Sequence, residues 1–146
     1  KRQAVAAIFH ERITALYRQI AHNDDSVSIA YSHNDTATSQ QLLRQYEEKF
    51  DYDRVAGSTS VGPHRHDIHI IFNRVPAAQA ASRGECRTIV LAMKFIEAEY
   101  IEQQSGVPPI ILLDDVFGEL DEQRQHALLA EFKANQVVMT STVDVH

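Results

Sequence analysis

The stretch "PPIILLDDVFGELDEQR", Pro108 to Arg124, constrains the fold more than any other part of this chain. It opens as an uninterrupted apolar run, Ile110 to Leu113, and ends on two adjacent carboxylates, Asp114 and Asp115, with Asp121 a few residues on. A short apolar run without alternation is the pattern of a parallel strand covered on both faces. Adjacent carboxylates repel each other, and burial sharpens the repulsion. A cation is therefore expected beside them when the site is working.

The flanks agree with a strand. Upstream, the spacing predicts a helix from about Ser82 to Gln104 that is apolar over more than one face, through Ile89, Leu91, Met93, Phe95, Ile96 and Ile101, and is stopped by "SGVPP". Downstream, a helix is predicted from about Glu122 to Lys133 with Asp121 in a capping position, followed by a buried strand in "QVVMTST", 136–142. Helix, strand, helix, strand is the α/β pattern. The first half is less regular. It reads as an amphipathic helix over 3–22, a strand over 26–32, a helix over 38–50, irregular chain over 51–65 and a strand over 67–72 with a turn near Asn73 and Arg74.

Other properties bound the function. A length of 146 residues allows a domain-sized core. A net charge of −6 argues against a broadly basic nucleic-acid surface on this chain. No apolar run reaches the length of a membrane span, and no signal peptide is visible. The one cysteine, Cys86, leaves no internal disulfide, which fits a cytoplasm. The first residue, Lys1, stands where a helical pattern is already under way, so the chain reads as part of a longer protein.

In open α/β sheets, ligands sit beyond the carboxyl ends of the strands. Asp114 and Asp115 fall at that edge. Magnesium, which takes one or two carboxylates together with phosphate oxygens and water, would supply the missing positive charge. Asp114 would then hold the ion, and Asp115 would orient or deprotonate an attacking water, as in a Walker B motif. The plainer alternative is that both aspartates cap a turn.

A second motif, "ASRGECRT", opens the long helix. Ser82 and Glu85 match a capping box, which is a sufficient structural reason for both. A helix N-terminus also favours a phosphate, Gly84 lets a ligand approach the backbone, and Arg87 adds a positive charge. A third, "GPHRHDIH" at 62–69, approaches the H-x-H-x-D-H pattern of metallo-hydrolases, but the aspartate is Asp67 where that pattern needs position 68. A turn entering a strand accounts for it. Missing altogether is G-x-x-x-x-G-K-[ST]: none of the five glycines precedes Lys-Ser or Lys-Thr. The chain therefore holds half of a nucleotide site.

In order and spacing, "GSTSVGPHRHD", "ASRGECRTIVLAMKFIEAE", "PPIILLDDVFGELDEQR" and "QVVMTST" resemble the C-terminal part of the RecF family of bacterial recombination-mediator ATPases, relatives of SMC-type and ABC ATPases. The resemblance covers about residues 57–142. It implies a partial ABC-type P-loop ATPase head, with residues 1–50 as the end of a helical arm subdomain and its return, and residues 51–146 as the C-terminal part of the head. It implies a cytoplasmic, slow ATPase in which ATP and magnesium drive two heads to dimerise, bind DNA near single-strand gaps, work with RecR and RecO, and help to load RecA. By motif match, Asp114 is the magnesium carboxylate and Asp115 the catalytic one. Ser82, Gly84 and Arg87 meet the ATP of the partner subunit, and Asp121 belongs to the D-loop at the dimer interface. Without Walker A, this segment alone is expected to be inactive. Two positions depart from the family pattern: Glu85 stands where the signature motif has glutamine, and Thr142 stands where many ABC ATPases place a histidine. Competing readings are an SMC-like head, a non-catalytic interaction module, and, for a different signature, a transporter domain.

Overall fold

The computed structural model describes residues 2–32, 39–116, 122–131 and 135–142. The elements run α1 (Arg2–Ala21), β1 (Val27–Ser32), α2 (Ser39–Ala56), a 3-10 turn (Pro63–Arg65), β2 (Asp67–Phe72), β3 (Val75–Pro76), the short α3 (Ala77–Ala80), α4 (Arg83–Ser105), β4 (Ile111–Asp114), α5 (Glu122–Glu131) and β5 (Val137–Thr140). Strands β1, β2 and β3 form one sheet in that order, and β4 pairs with β5 in parallel. The expected α/β class holds.

The chain divides into two compact units, one built from residues 1–29 and 70–146 and the other from residues 30–69. The first unit is built on the apolar face of α1, which packs on α4. Ile13, Leu16, Tyr17 and Ile20 of α1 are buried in one cluster with Ile89, Ala92, Phe95 and Ile96 of α4, and Val27, Ile29, Phe72 and Leu113 complete it. Burying an aliphatic side chain of this size contributes about 1.5–3 kcal/mol. Polar groups at the rim are satisfied: the His10 ring donates to the Ile29 carbonyl at 2.8 Å, and the Thr14 hydroxyl donates to the Val27 carbonyl. The turn at Asn73 and Arg74 has φ of 47° and 71° and joins β2 to β3, with Phe72 opposite Val75. Two successive positive φ angles are what a two-residue hairpin requires.

The long helix α4 runs as predicted and ends where Gly106, at φ 72°, donates its N–H to the Glu102 carbonyl at 2.7 Å. Its exposed stripe is Arg83, Arg87, Val90, Lys94, Glu97, Ile101 and Gln104; the other residues from Thr88 to Glu102 are covered wholly or in part. In the second unit, α2 extends to Ala56, six residues beyond the expected end, because nothing in 51–56 breaks a helix until Gly57, at φ 69°. Gly62, at φ 122°, is held against the Tyr46 hydroxyl so closely that a Cβ there would collide with it.

One expectation fails. Strand β4 is not covered on both faces. Leu113 is buried and Ile111, Val137 and Met139 are half-buried, but Leu112 is 75% exposed and Val138 52% exposed. The uninterrupted apolar run thus reports a second face that the described residues leave open.

Candidate functional site

The parallel register of β4 and β5 sets Asp114 opposite Thr140 at the carboxyl edge of both strands. The Thr140 hydroxyl donates to Asp114 Oδ1 at 2.6 Å and accepts the Asp115 N–H at 3.1 Å. That N–H also lies 3.1 Å from the Thr140 carbonyl. Asp115 Oδ1 in turn accepts from the Thr142 hydroxyl at 3.1 Å and the Thr142 N–H at 3.3 Å. Asp115 sits at φ 49°, in the left-handed region that costs a non-glycine residue roughly 1 kcal/mol. Strand pairing and two threonines hold it there. The positive φ turns the chain sharply, so that two carboxylates adjacent in sequence are fixed by different partners.

Both aspartates are exposed, and each keeps Oδ2 without a hydrogen bond among the described residues. Exposure lets water relieve their repulsion. The open oxygens are the ligands that a hard cation needs. No cluster of three His, Cys, Asp or Glu side chains exists among the described residues. Magnesium, which takes one or two carboxylates and completes its shell with water or phosphate oxygens, suits two such aspartates.

The second group lies at the start of α4. Ser82 is the N-cap: its Oγ accepts the Glu85 N–H at 3.3 Å, while Glu85 Oε2 accepts the Ser82 N–H at 2.6 Å. Thr88, fully buried, donates to the Gly84 carbonyl at 3.0 Å. Gly84 has an ordinary φ, and the atom nearest to a Cβ built there is Arg124 Nη1 at 3.5 Å, an ordinary contact. Neither backbone nor neighbour demands glycine here, although glycine costs about 1 kcal/mol relative to alanine in a helix. Arg87 is exposed one turn further along. Asp121 lies outside the described residues.

Sequence reasoning passed over Thr140 and Arg124. Thr140 carries no signal until strand register is known. Arg124 did offer one: a cation in the first turn of a helix opposes the helix dipole, so its partner should lie elsewhere. Tyr17 falls on the apolar face of the helix expected over 3–22. It is wholly buried, and its hydroxyl has no hydrogen-bond partner among the described residues. Burial pushes its pKa above the ordinary 10.0. Asn23 eases ionisation, Glu85 and Asp25 oppose it, and Arg124 favours it.

Among the described residues, the histidine-rich loop of the second unit brings no three metal-ligating side chains together. His64 Nε2 lies 2.8 Å from Thr59 Oγ1 and 3.1 Å from the Thr59 carbonyl, Arg65 donates to that carbonyl at 2.9 Å, and His66 bonds the Tyr31 hydroxyl at 2.8 Å. These contacts fold the loop on itself.

Two comparisons decide the family. The DNA replication and repair protein RecF of Cyanothece sp. is 34% identical over 150 residues, matching 97% of this chain and 40% of the relative. That of Gloeothece citriformis is 38% identical over 144 residues, matching 90% of this chain and 38% of the relative. This chain belongs to the RecF family. A solved structure of the recombination mediator protein RecF with ATP, described within the RecFOR pathway, superposes with a TM-score of 0.80 at 26% identity, covering 99% of this chain and 41% of that one. The chain thus spans about two-fifths of the length of the RecF proteins that it matches, and its fold is part of an ABC-type ATPase head. No family model matches it. Among the described residues, no helix is long and apolar enough to cross a membrane.

Proposed function

We propose that this chain supplies the Walker B edge and the signature turn of a RecF-type ATPase. In this reading ATP and magnesium drive two heads together on gapped DNA, in the bacterial cytoplasm, with RecO and RecR as partners and RecA loading as the outcome. The observation that carries it is the carboxyl edge of β4 and β5, where Asp114 and Asp115 are separately anchored yet keep open oxygens. Residues 1–50 would end the helical arm and return to the head, and residues 51–146 would complete it.

Asp114 would hold magnesium, directly or through water, because the Thr140 hydroxyl fixes one of its oxygens and leaves the other. Magnesium, when bound, offsets phosphate charge. Asp115 would align and deprotonate the attacking water, steadied by Thr142. Ser82, Gly84 and Arg87 would meet the ATP of the partner subunit, and Asp121 would lie in the D-loop between heads. The open apolar face at Leu112 and Val138 supports cover by chain other than the described residues. The full-length protein would be a slow ATPase, and this segment alone would be inactive.

The test uses the full-length protein. Ser82→Arg adds bulk and charge at the signature turn. It should block ATP-driven dimerisation in sedimentation velocity while leaving ATP binding by the monomer intact. Dimerisation at the parental ATP concentration would refute the assignment.

A further inference from the structure

The pairing of β4 with β5 ends at Asp114 and Thr140. Hydrogen bonds nevertheless carry the contact one step past the ladder. The Asp115 N–H meets the Thr140 carbonyl and the Thr140 hydroxyl, each at 3.1 Å. The Asp115 carboxylate meets Thr142, whose hydroxyl and N–H both donate to Oδ1, at 3.1 and 3.3 Å. Backbone and side chain of Asp115 are thus tied to alternate residues of one segment. A residue other than glycine held at φ 49° needs such restraint.

The bonds on Oδ1 have a chemical consequence. An ionised carboxylate has about four lone-pair sites, shared equally by its oxygens. Thr142 fills both sites of Asp115 Oδ1. Asp115 Oδ2 accepts no hydrogen bond among the described residues, so its lone pairs remain to receive a proton. Asp114 differs: among the described residues its Oδ1 accepts from the Thr140 hydroxyl alone, and that oxygen keeps a site open as well. Asp114 therefore offers both oxygens to a cation, whereas Asp115 is left with one usable oxygen.

We infer, resting on the reading above, that Thr142 is a positioning residue for Asp115: by occupying Oδ1 it makes Oδ2 the oxygen that takes the proton of the attacking water. As that water's oxygen bonds the terminal phosphorus of ATP and the bond from phosphorus to ADP breaks, one proton passes from the water to Oδ2 and from there to solvent. Thr142 acts through the carboxylate and touches neither water nor phosphate. Position 142, which departs from the family pattern, thus serves the aspartate rather than the nucleotide.

The test compares steady-state ATP hydrolysis by the full-length protein for the parent, Thr142→Val, Thr142→Ser, Asp115→Asn and the double variant of Thr142→Val with Asp115→Asn. Thr142→Val removes the hydroxyl and keeps the backbone N–H. It should lower kcat roughly fivefold, the order of one hydrogen bond to a charged group discounted for exposure, with KM for ATP and the magnesium requirement near the parental values. Thr142→Ser should restore kcat. In the Asp115→Asn background the valine change should have no further effect, because the group through which it acts is no longer a base. A threonine that merely braces the turn would lower kcat by the same factor in both backgrounds, and that result overturns the inference. So does a Thr142→Val protein with parental kcat, one changed only in KM or magnesium requirement, or a Thr142→Ser protein as slow as Thr142→Val. Should valine disturb the turn, Thr142→Ala removes the same hydroxyl with less bulk and carries the same expectation. Asp115→Asn alone separates two failures. If it hydrolyses ATP at the parental rate, the reading of the site falls and this inference with it. If it slows turnover while Thr142→Val is parental or acts alike in both backgrounds, only the role of Thr142 falls.

Discussion

Replacing Thr140 with valine should weaken the magnesium dependence of the full-length protein without changing its fold. The Thr140 hydroxyl donates to Asp114 Oδ1 at 2.6 Å and accepts the Asp115 N–H at 3.1 Å. Valine keeps the branched shape and strand preference, so the change isolates the hydroxyl. The Asp115 N–H is not orphaned, because the Thr140 carbonyl remains 3.1 Å away. What is lost is one hydrogen bond to a charged group, ordinarily worth about 1.5–3 kcal/mol. Asp114 and Thr140 are both exposed, and water replaces part of the interaction, which brings the loss to about 1 kcal/mol. That corresponds to roughly a fivefold change in an equilibrium constant. The magnesium concentration that half-saturates ATP hydrolysis should rise by about that factor, and Thr140→Ser should restore it. A thermal melt should shift down by about 2–4 °C. A valine variant with parental magnesium dependence would mean that Thr140 does not aim Asp114, and the reasoning from β4–β5 register to metal binding would be wrong.

Other outcomes follow from the same geometry. This chain by itself should show no micromolar binding of Mg-ATP by calorimetry, since it holds no phosphate loop; tight stoichiometric binding would place the cradle within it. In the full-length protein, Asp115→Asn should keep ATP binding and dimerisation but slow turnover by roughly 10²–10⁴-fold, whereas Asp114→Asn should act on magnesium dependence; parental turnover by Asp115→Asn would remove its assigned role. Burial raises the Tyr17 pKa above 10.0, so the fold favours the neutral phenol. The associated stability is complete below pH 10 and is lost as pH rises through and beyond that value. Tyr17→Phe should therefore flatten the alkaline loss in urea titrations and cost nothing at neutral pH, because the hydroxyl has no hydrogen-bond partner among the described residues.

Much of this was legible in the sequence, and what was not has physical causes. The start of α4 could be read outright, because a capping box is a local pattern whose partners lie three residues apart; Ser82 and Glu85 bond as their spacing requires. The edge aspartates could be read because an apolar run that stops on charge marks a strand end. The role of Thr140 could not, since it depends on the register Asp114↔Thr140, and register is a long-range property. Arg124 and Tyr17 were missed for the same reason: their surroundings come from elements distant in sequence, Arg124 lying beside Gly84 and Tyr17 in the core cluster. The open face of β4 was misread because hydrophobicity records which surfaces need cover, not which residues provide it. Helix α2 runs past the expected end at residue 50 because no breaker stands before Gly57, which supplies the stop.

The central claim is that the start of α4 serves a nucleotide held by another subunit. It is tested most directly by mixing full-length Ser82→Arg protein with protein disabled in Walker A. A mixed dimer then has one site with both halves damaged and one with both halves intact. The account predicts that ATP-driven dimerisation and hydrolysis recover in the mixture to a fraction of the parental level, above either variant alone. No recovery in the mixture, together with lost ATP binding by Ser82→Arg monomers, would contradict it and would leave this helix start acting within its own subunit.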